Sequence, residues 1–226
     1  MERSLAVLEV LLVFAATHVL LKTFKQFSTL GALERSARLN LSPGLFLGGI
    51  AVLAILIPRR DFNAHGLGAV SVRLRSPSSR SIAVGFILYL CPLLALIYFD
   101  PKPSHAFLSY CGFLSAVSFG EEIFFRGYMQ SRLNDVFGRP WLIRGIPFGF
   151  GLIVTSLVFG FLHALNTVDY FHGRYSFDWG WASITVVTGL LFGLIREATD
   201  SVWPSVAVHG LLDVWVTALL ALSSAI

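Results

Sequence analysis

Apolar residues run in seven stretches along the chain, at about 4–21, 43–58, 82–99, 106–130, 147–165, 181–195 and 202–222, with shorter polar segments between them. A helix that spans a bilayer needs about 20 mostly apolar residues, within a range of about 17–25. Most of the stretches therefore predict spanning helices. The second, from Pro43 to Ile57, is short and rich in glycine, which predicts a tilted, re-entrant or weakly inserted helix. The fourth ends in Gln130-Ser-Arg-Leu-Asn-Asp135, so its helix is expected to project beyond the membrane. Proline, serine and five arginines between residues 59 and 80 mark a solvated loop or surface helix. There is no internal repeat and no low-complexity tract.

Composition sharpens this picture. The 226 residues are 55% hydrophobic and 13% charged, with a mean hydropathy of +0.73. A soluble domain carries about 25% charged residues. The fold class expected is all-α, a polytopic transmembrane helical bundle of about 6–8 membrane helices around a membrane-embedded polar cavity. The net charge of +4 does not point to nucleic acid, because the basic residues sit mostly between apolar stretches. There they set topology and meet the lipid bilayer. Their alternation puts 59–80 and 131–146 on the cytoplasmic side, and the basic segment 22–42 fits that arrangement only if 43–58 is re-entrant. Cys91 and Cys111 lie in apolar surroundings and read as core residues, with neither a disulfide framework nor a cysteine-rich metal site. Near the N-terminus Glu9 interrupts the apolar run, and Lys22 and Lys25 follow without a small-residue cleavage site. That stretch is expected to be retained as a first membrane helix.

Against this apolar background the ionisable residues stand out. Glu121-Glu122-Ile-Phe-Phe-Arg126 falls inside the fourth stretch. Charged groups at membrane depth cost several kcal/mol each and mark functional sites. Glu122 and Arg126 are i,i+4 neighbours, so they pair on one helix face and neutralise each other. Glu121 turns away from that pair, toward the side of Phe125, Tyr128 and Arg132, and is left for chemistry. Burial of a carboxylate favours its protonated form, which suits a base that works near neutral pH. The plainer reading is that all three residues form a structural ion-pair network between helices. Phe119, Phe124, Phe125, Tyr128 and Phe159 lie near these positions. They either line an apolar groove for a hydrophobic or lipidated chain or serve as ordinary core and lipid-facing packing.

Two later stretches each carry a histidine, in Phe159-Gly-Phe-Leu-His163 and His209-Gly-Leu-Leu-Asp213. His209 and Asp213 share a helix face at i,i+4, and Pro204 is placed to begin or kink that helix. An aspartate bonded to a histidine fixes its tautomer. Glu121 with His163 and His209 makes a set that can activate a water and stabilise an oxyanion. A Glu-His-His set also suits zinc, although no His-Glu-x-x-His is present. No Gly-x-Ser-x-Gly occurs, which disfavours a serine nucleophile. A third reading keeps the same residues as interhelical glue in a non-catalytic immunity factor, scaffold or transporter subunit. Asp169, His172 and Asp178 follow His163 as a solvated loop, or alternatively as a lid at substrate entry.

At these residues the chain resembles the CPBP family of CAAX-protease and bacteriocin-processing membrane proteins, also called the Abi family. The family pattern is Glu-Glu-x-x-x-Arg, then Phe-x-x-x-His, then His-x-x-x-Asn or Asp. Here it reads Glu121-Glu122-x-x-x-Arg126, Phe159-x-x-x-His163 and His209-x-x-x-Asp213, in that order and on apolar stretches. The resemblance covers about residues 105–220; it divides the chain into N-terminal membrane helices with a basic linker at 1–104 and a catalytic membrane core at 105–226, in one continuous bundle. It implies a glutamic intramembrane endopeptidase that needs no cofactor and no metal. In that scheme Glu121 activates water together with His163, His209 and Asp213 stabilise the oxyanion, and Glu122 and Arg126 support the site. Where asparagine can donate to an oxyanion, an ionised Asp213 cannot, so it acts protonated or through His209. The partner implied is a membrane-associated peptide or protein, lipidated or not. The activity is processing of CAAX-like ends, sorting signals or bacteriocins, and the family's distribution implies a bacterial inner membrane.

Overall fold

The computed structural model describes residues 2–29, 31–32, 42–58, 60–68 and 116–223. The predicted helix at 82–99, both cysteines and most of the arginine-rich linker lie outside the described residues. The α-helices bounded within the described residues are α1 (Glu2–Phe27), α2 (Ser42–Leu56), α3 (Ser131–Phe137), α4 (Phe150–Ala164), α5 (Trp179–Thr199) and α6 (Trp203–Ser223). The fourth apolar stretch is helical from residue 116, passes into a π-helix over Ile123–Gln130 and runs on without a break into α3. We call this continuous element, residues 116–137, the motif helix. It carries its polar tail to Phe137, two residues beyond Asp135.

The protein is an all-α helical bundle, and three of the described helices are long and apolar enough to cross a membrane: Glu2–Phe27, Phe150–Thr167 and Trp179–Thr199. At about 1.5 Å per residue, the 15 residues of α2 reach only about 22 Å, short of a hydrocarbon core of about 30 Å. Two of the glycines of α2, Gly44 and Gly48, serve its packing. A Cβ on Gly120 of the motif helix would lie 1.9 Å from the Gly44 carbonyl oxygen, and one on Gly48 would lie 3.2 Å from the Gly120 Cα. The Gly44-x-x-x-Gly48 face thus lets the two backbones touch directly in front of Glu121. Lipid offers no hydrophobic drive between helices, so close approach of small residues supplies the contact. The α4–α5 pair uses the same device, since a Cβ on Gly160 would meet the Ala182 carbonyl oxygen at 2.7 Å.

Charged residues tie α1 onto this frame. Glu9 receives hydrogen bonds from Tyr128 Oη, Arg132 Nε and Arg60 Nη2, each at 3.0 Å. Lys22 Nζ donates to the carbonyls of Leu165 at 3.1 Å and Val168 at 2.9 Å, which satisfies acceptors left open just past the end of α4. One element was not foreseen: a β-hairpin of β1 (Trp141–Ile143) and β2 (Ile146–Phe148), with Trp141 opposite Phe148. Its two turn residues, Arg144 and Gly145, both have positive φ, at 48° and 80°, as a two-residue turn of this hand requires.

The loop after α4 holds the Asp169, His172 and Asp178 cluster in turn-forming roles. Asp178 Oδ1 accepts the Trp181 N–H at 2.9 Å and caps α5. Asp169 Oδ2 accepts from His172 Nδ1 at 2.8 Å and from Arg174 Nη2 at 2.9 Å. Desolvation works against the Asp169 charge, but the bonds from Arg174 and His172 outweigh it and hold the carboxyl down at about 2.

Two outcomes follow. Gly120→Ala should lower stability in detergent by about 1–3 kcal/mol in a thermal unfolding assay, because the new methyl group meets backbone and not a yielding side chain. Gly49→Ala, where nothing lies within 4 Å of the added carbon, should leave the transition unchanged. For Asp169 the folded value lies below the ordinary value of 3.8, so its contribution is present above that ordinary value and is lost as pH falls through about 2. The protection of the His172 amide, its hydrogen-exchange rate divided into the intrinsic rate at each pH, should therefore hold at neutral pH and fall between about pH 4 and pH 2.

Candidate active site

The motif helix is gripped on two sides by hydrogen bonds repeated every four residues. Toward α5, Arg126 Nη2 donates to Gly189 O at 3.0 Å and Gln130 Nε2 to Gly193 O at 3.1 Å, and Asn134 Nδ2 donates to Glu197 Oε1 at 2.6 Å. Both partners advance together, so the two helices run parallel there. In a regular α-helix, positions four apart drift around the axis by about 40° per step. The i→i+5 bonding of the π segment widens the turn and takes up that drift, which keeps the three side chains in line. Toward α6 the order is reversed: Glu122 meets His209, and Ser118 meets Asp213.

Glu122 is the centre of the site. Its carboxylate is fully buried, lies 3.0 Å from Arg126 Nη1 and accepts from His209 Nδ1 at 2.9 Å. The Arg126 guanidinium sits 4.6 Å from the centre of the Phe159 ring and 5.3 Å from that of Phe192, both favourable cation–π distances. This fit depends on the absence of a side chain at Gly189, where a Cβ would stand 3.2 Å from Phe159 and 3.4 Å from Arg126 Nη2.

His209 is held as firmly. Its ring stacks on Phe192 at 4.5 Å between centroids, and Phe159 meets its edge at 5.8 Å. A carboxylate only accepts, so Nδ1 carries the proton given to Glu122 and Nε2 faces the other way. Nε2 lies 3.8 Å from Glu121 Oε2 and 3.7 Å from Asp213 Oδ2. These separations are too long for hydrogen bonds and suit a shared water or substrate oxygen. His163 Nδ1 donates to the Phe159 carbonyl at 2.9 Å, which leaves Nε2 as the ring nitrogen not engaged by that bond. His163, His209, Asp213 and Glu122 are the electrostatic neighbours of Glu121.

Glu121, Glu122, Arg126, His163, His209 and Asp213 thus converge, although they come from three separate helices. One detail differs from the expectations. The group that orients His209 is Glu122, not Asp213, because the Asp213 side chain reaches across to Ser118 Oγ at 2.7 Å. Of the two readings open for the aromatic residues, Phe124, Phe125, Tyr128 and Phe159 take the packing one, at most 1% exposed in the core behind the polar site, while Phe119 is exposed beside Trp203. A helix in lipid is apolar all round, so its sequence does not separate a groove-facing ring from a core-facing one.

Sequence reading also passed over Ser118, Gln130, Asn134 and Glu197. Glu197 is 1% exposed and is bound by Gln130, Asn134 and Arg139, so it locks α5 to the far end of the motif helix. The signal was present in the four-residue spacing of Arg126, Gln130 and Asn134 beside that of Gly189, Gly193 and Glu197. Among the described residues no group of three or more His, Cys, Asp or Glu side chains is arranged to hold a metal ion.

Arg126→Met should destabilise the protein by about 3–5 kcal/mol, because it leaves the Glu122 charge buried without its cation. Adding Glu122→Gln to the same chain should recover part of that loss, as read from thermal unfolding of the two variants side by side.

A protein-family model described as type II CAAX prenyl endopeptidase Rce1-like matches residues 103–215, half of the chain. No curated protein and no solved structure matches it.

Proposed function

Because the chain belongs to the Rce1-like type II CAAX prenyl endopeptidase family, and is on that ground a membrane endopeptidase of membrane-associated proteins, we propose that it cleaves by a glutamate-activated water. The observation that carries this reading is the setting of His209. Its Nδ1 is fixed on Glu122 at 2.9 Å while Nε2 lies 3.8 Å from Glu121, a spacing that one water or substrate oxygen beside the pair can bridge.

In the proposed reaction, Glu121 takes a proton from water, and the water oxygen bonds to the scissile carbonyl carbon as the carbonyl π-bond opens onto oxygen. The resulting oxyanion is stabilised by Nε2–H of His209. Since Nδ1–H is already given to Glu122, a donating Nε2 makes His209 an imidazolium. Glu122 and Asp213 beside it provide the compensating charge while Glu121 holds the proton from water. Collapse of the intermediate breaks the C–N bond, and the proton held by Glu121 passes to the leaving amine. His163, with its Nε2 not engaged by the Phe159 carbonyl, assists the transfer from water. Glu122 and Arg126 position the site without touching substrate. The substrate proposed is a membrane-associated chain, prenylated or not, of the CAAX, sorting-signal or bacteriocin type, in a bacterial inner membrane.

Glu121→Gln tests the assignment. It keeps the size of the side chain and removes the base, so turnover should fall by about 10²–10⁴-fold with the unfolding temperature preserved. Protein termini in membrane fractions would be compared between cells with the wild type, this variant or neither. New termini that need Glu121 support glutamic proteolysis and name the substrate. Identical termini in all three, with folded protein present, favour a non-catalytic membrane role.

A further inference from the structure

Ser118 takes no part in the chemistry set out so far, yet it is 0% exposed and its hydroxyl donates to Asp213 Oδ2 at 2.7 Å. The same Asp213 oxygen stands 3.7 Å from His209 Nε2. Ser118 precedes Glu121 and Glu122 by three and four residues, so all three project toward α6. The contacts form two rungs one helical turn apart. Ser118 pairs with Asp213, and Glu122 pairs with His209, in the reversed order that antiparallel neighbours require. Glu121 lies between the rungs.

We infer that Ser118 is a positioning residue for this site, a hydroxyl that fixes the Asp213 carboxylate and, with the Glu122–His209 rung, sets the width of the gap at Glu121. This rests on the proteolytic reading above. An ionised carboxylate presents only acceptors, so Asp213 cannot hold its own rotamer against the equally acceptor-only Glu121. The Ser118 hydroxyl supplies the missing donor. It keeps the Asp213 carboxyl beside His209 Nε2, 3.7 Å away, where its oxygen supports the ring that donates to the oxyanion. Ser118 therefore acts through Asp213 and His209 and does not touch substrate.

The test uses the full-length protein in native membranes, with the substrate found by the comparison of termini. Ser118→Ala should lower kcat about 10-fold with KM unchanged, the size of effect expected when a catalytic group loses its alignment. Ser118→Thr, which keeps the hydroxyl, should recover most of the rate. The double variant Ser118→Ala/Asp213→Ala should be no slower than Asp213→Ala alone, since the two side chains act as one unit. Ser118→Cys, close in size but a weak donor, repeats the experiment if alanine impairs folding. A kcat within about twofold of wild type in Ser118→Ala, or losses that multiply in the double variant, would overturn the inference. If that happens while Glu121→Gln is inactive, only the role of Ser118 fails. If Glu121→Gln cleaves at the wild-type rate, the proteolytic reading fails and takes this inference with it.

Discussion

The structure depends on giving partners to the Glu122 carboxylate, which is fully buried. An isolated carboxylate in such a place costs several kcal/mol, and the cost is met only by an opposite charge in good geometry with further hydrogen bonds. Arg126 supplies the charge from one turn along the same helix, and His209 supplies the bond from another. Arg126 in turn needs the Phe159 and Phe192 rings and the Gly189 carbonyl, so α4 and α5 must stand where they do. One buried ion therefore fixes the relative placement of four helices.

What this arrangement does for function follows from the position next to it. Glu121 shares the burial of Glu122 but not its partners, since His209 Nε2 is 3.8 Å away and lies beyond hydrogen-bond range. A rigid cage with one carboxylate unspent is the arrangement that preorganised catalysis requires. The rigidity comes from hydrogen bonds on two sides of the motif helix and from glycine contacts that bring backbones together. Bulk hydrophobic packing cannot supply it in a lipid environment. The π segment belongs to the same logic. It spends regular helical geometry to keep Arg126, Gln130 and Asn134 on one line toward α5.

Much of the bundle was legible in the chain. The apolar stretches at 4–21, 147–165, 181–195 and 202–222 became α1, α4, α5 and α6, with ends moved by a few residues. The Glu122–Arg126 pair was readable because both residues ride on one helix, and covalent geometry alone places i and i+4 together. The same rule misled at His209 and Asp213. They do share a face, but each found a stronger partner on the motif helix, at Glu122 and Ser118. The glycines of α2 were visible as composition, while the purpose of Gly44 and Gly48 appeared only when Gly120 was found against them.

By itself, then, the sequence determined that this is a helical membrane protein, which of the described segments are mainly helical, and which ionisable residues fall on apolar stretches in the family's order. Those properties follow from local hydropathy and from spacing along single helices. Tertiary structure decided which histidine nitrogen meets which carboxylate, that Phe124, Phe125, Tyr128 and Phe159 are core, that Ser118 and Glu197 join the buried networks, and that a π turn realigns the motif helix. Such choices turn on register and closeness between helices. An apolar helix in lipid carries no periodic signal for either, because every side of it is compatible with its solvent.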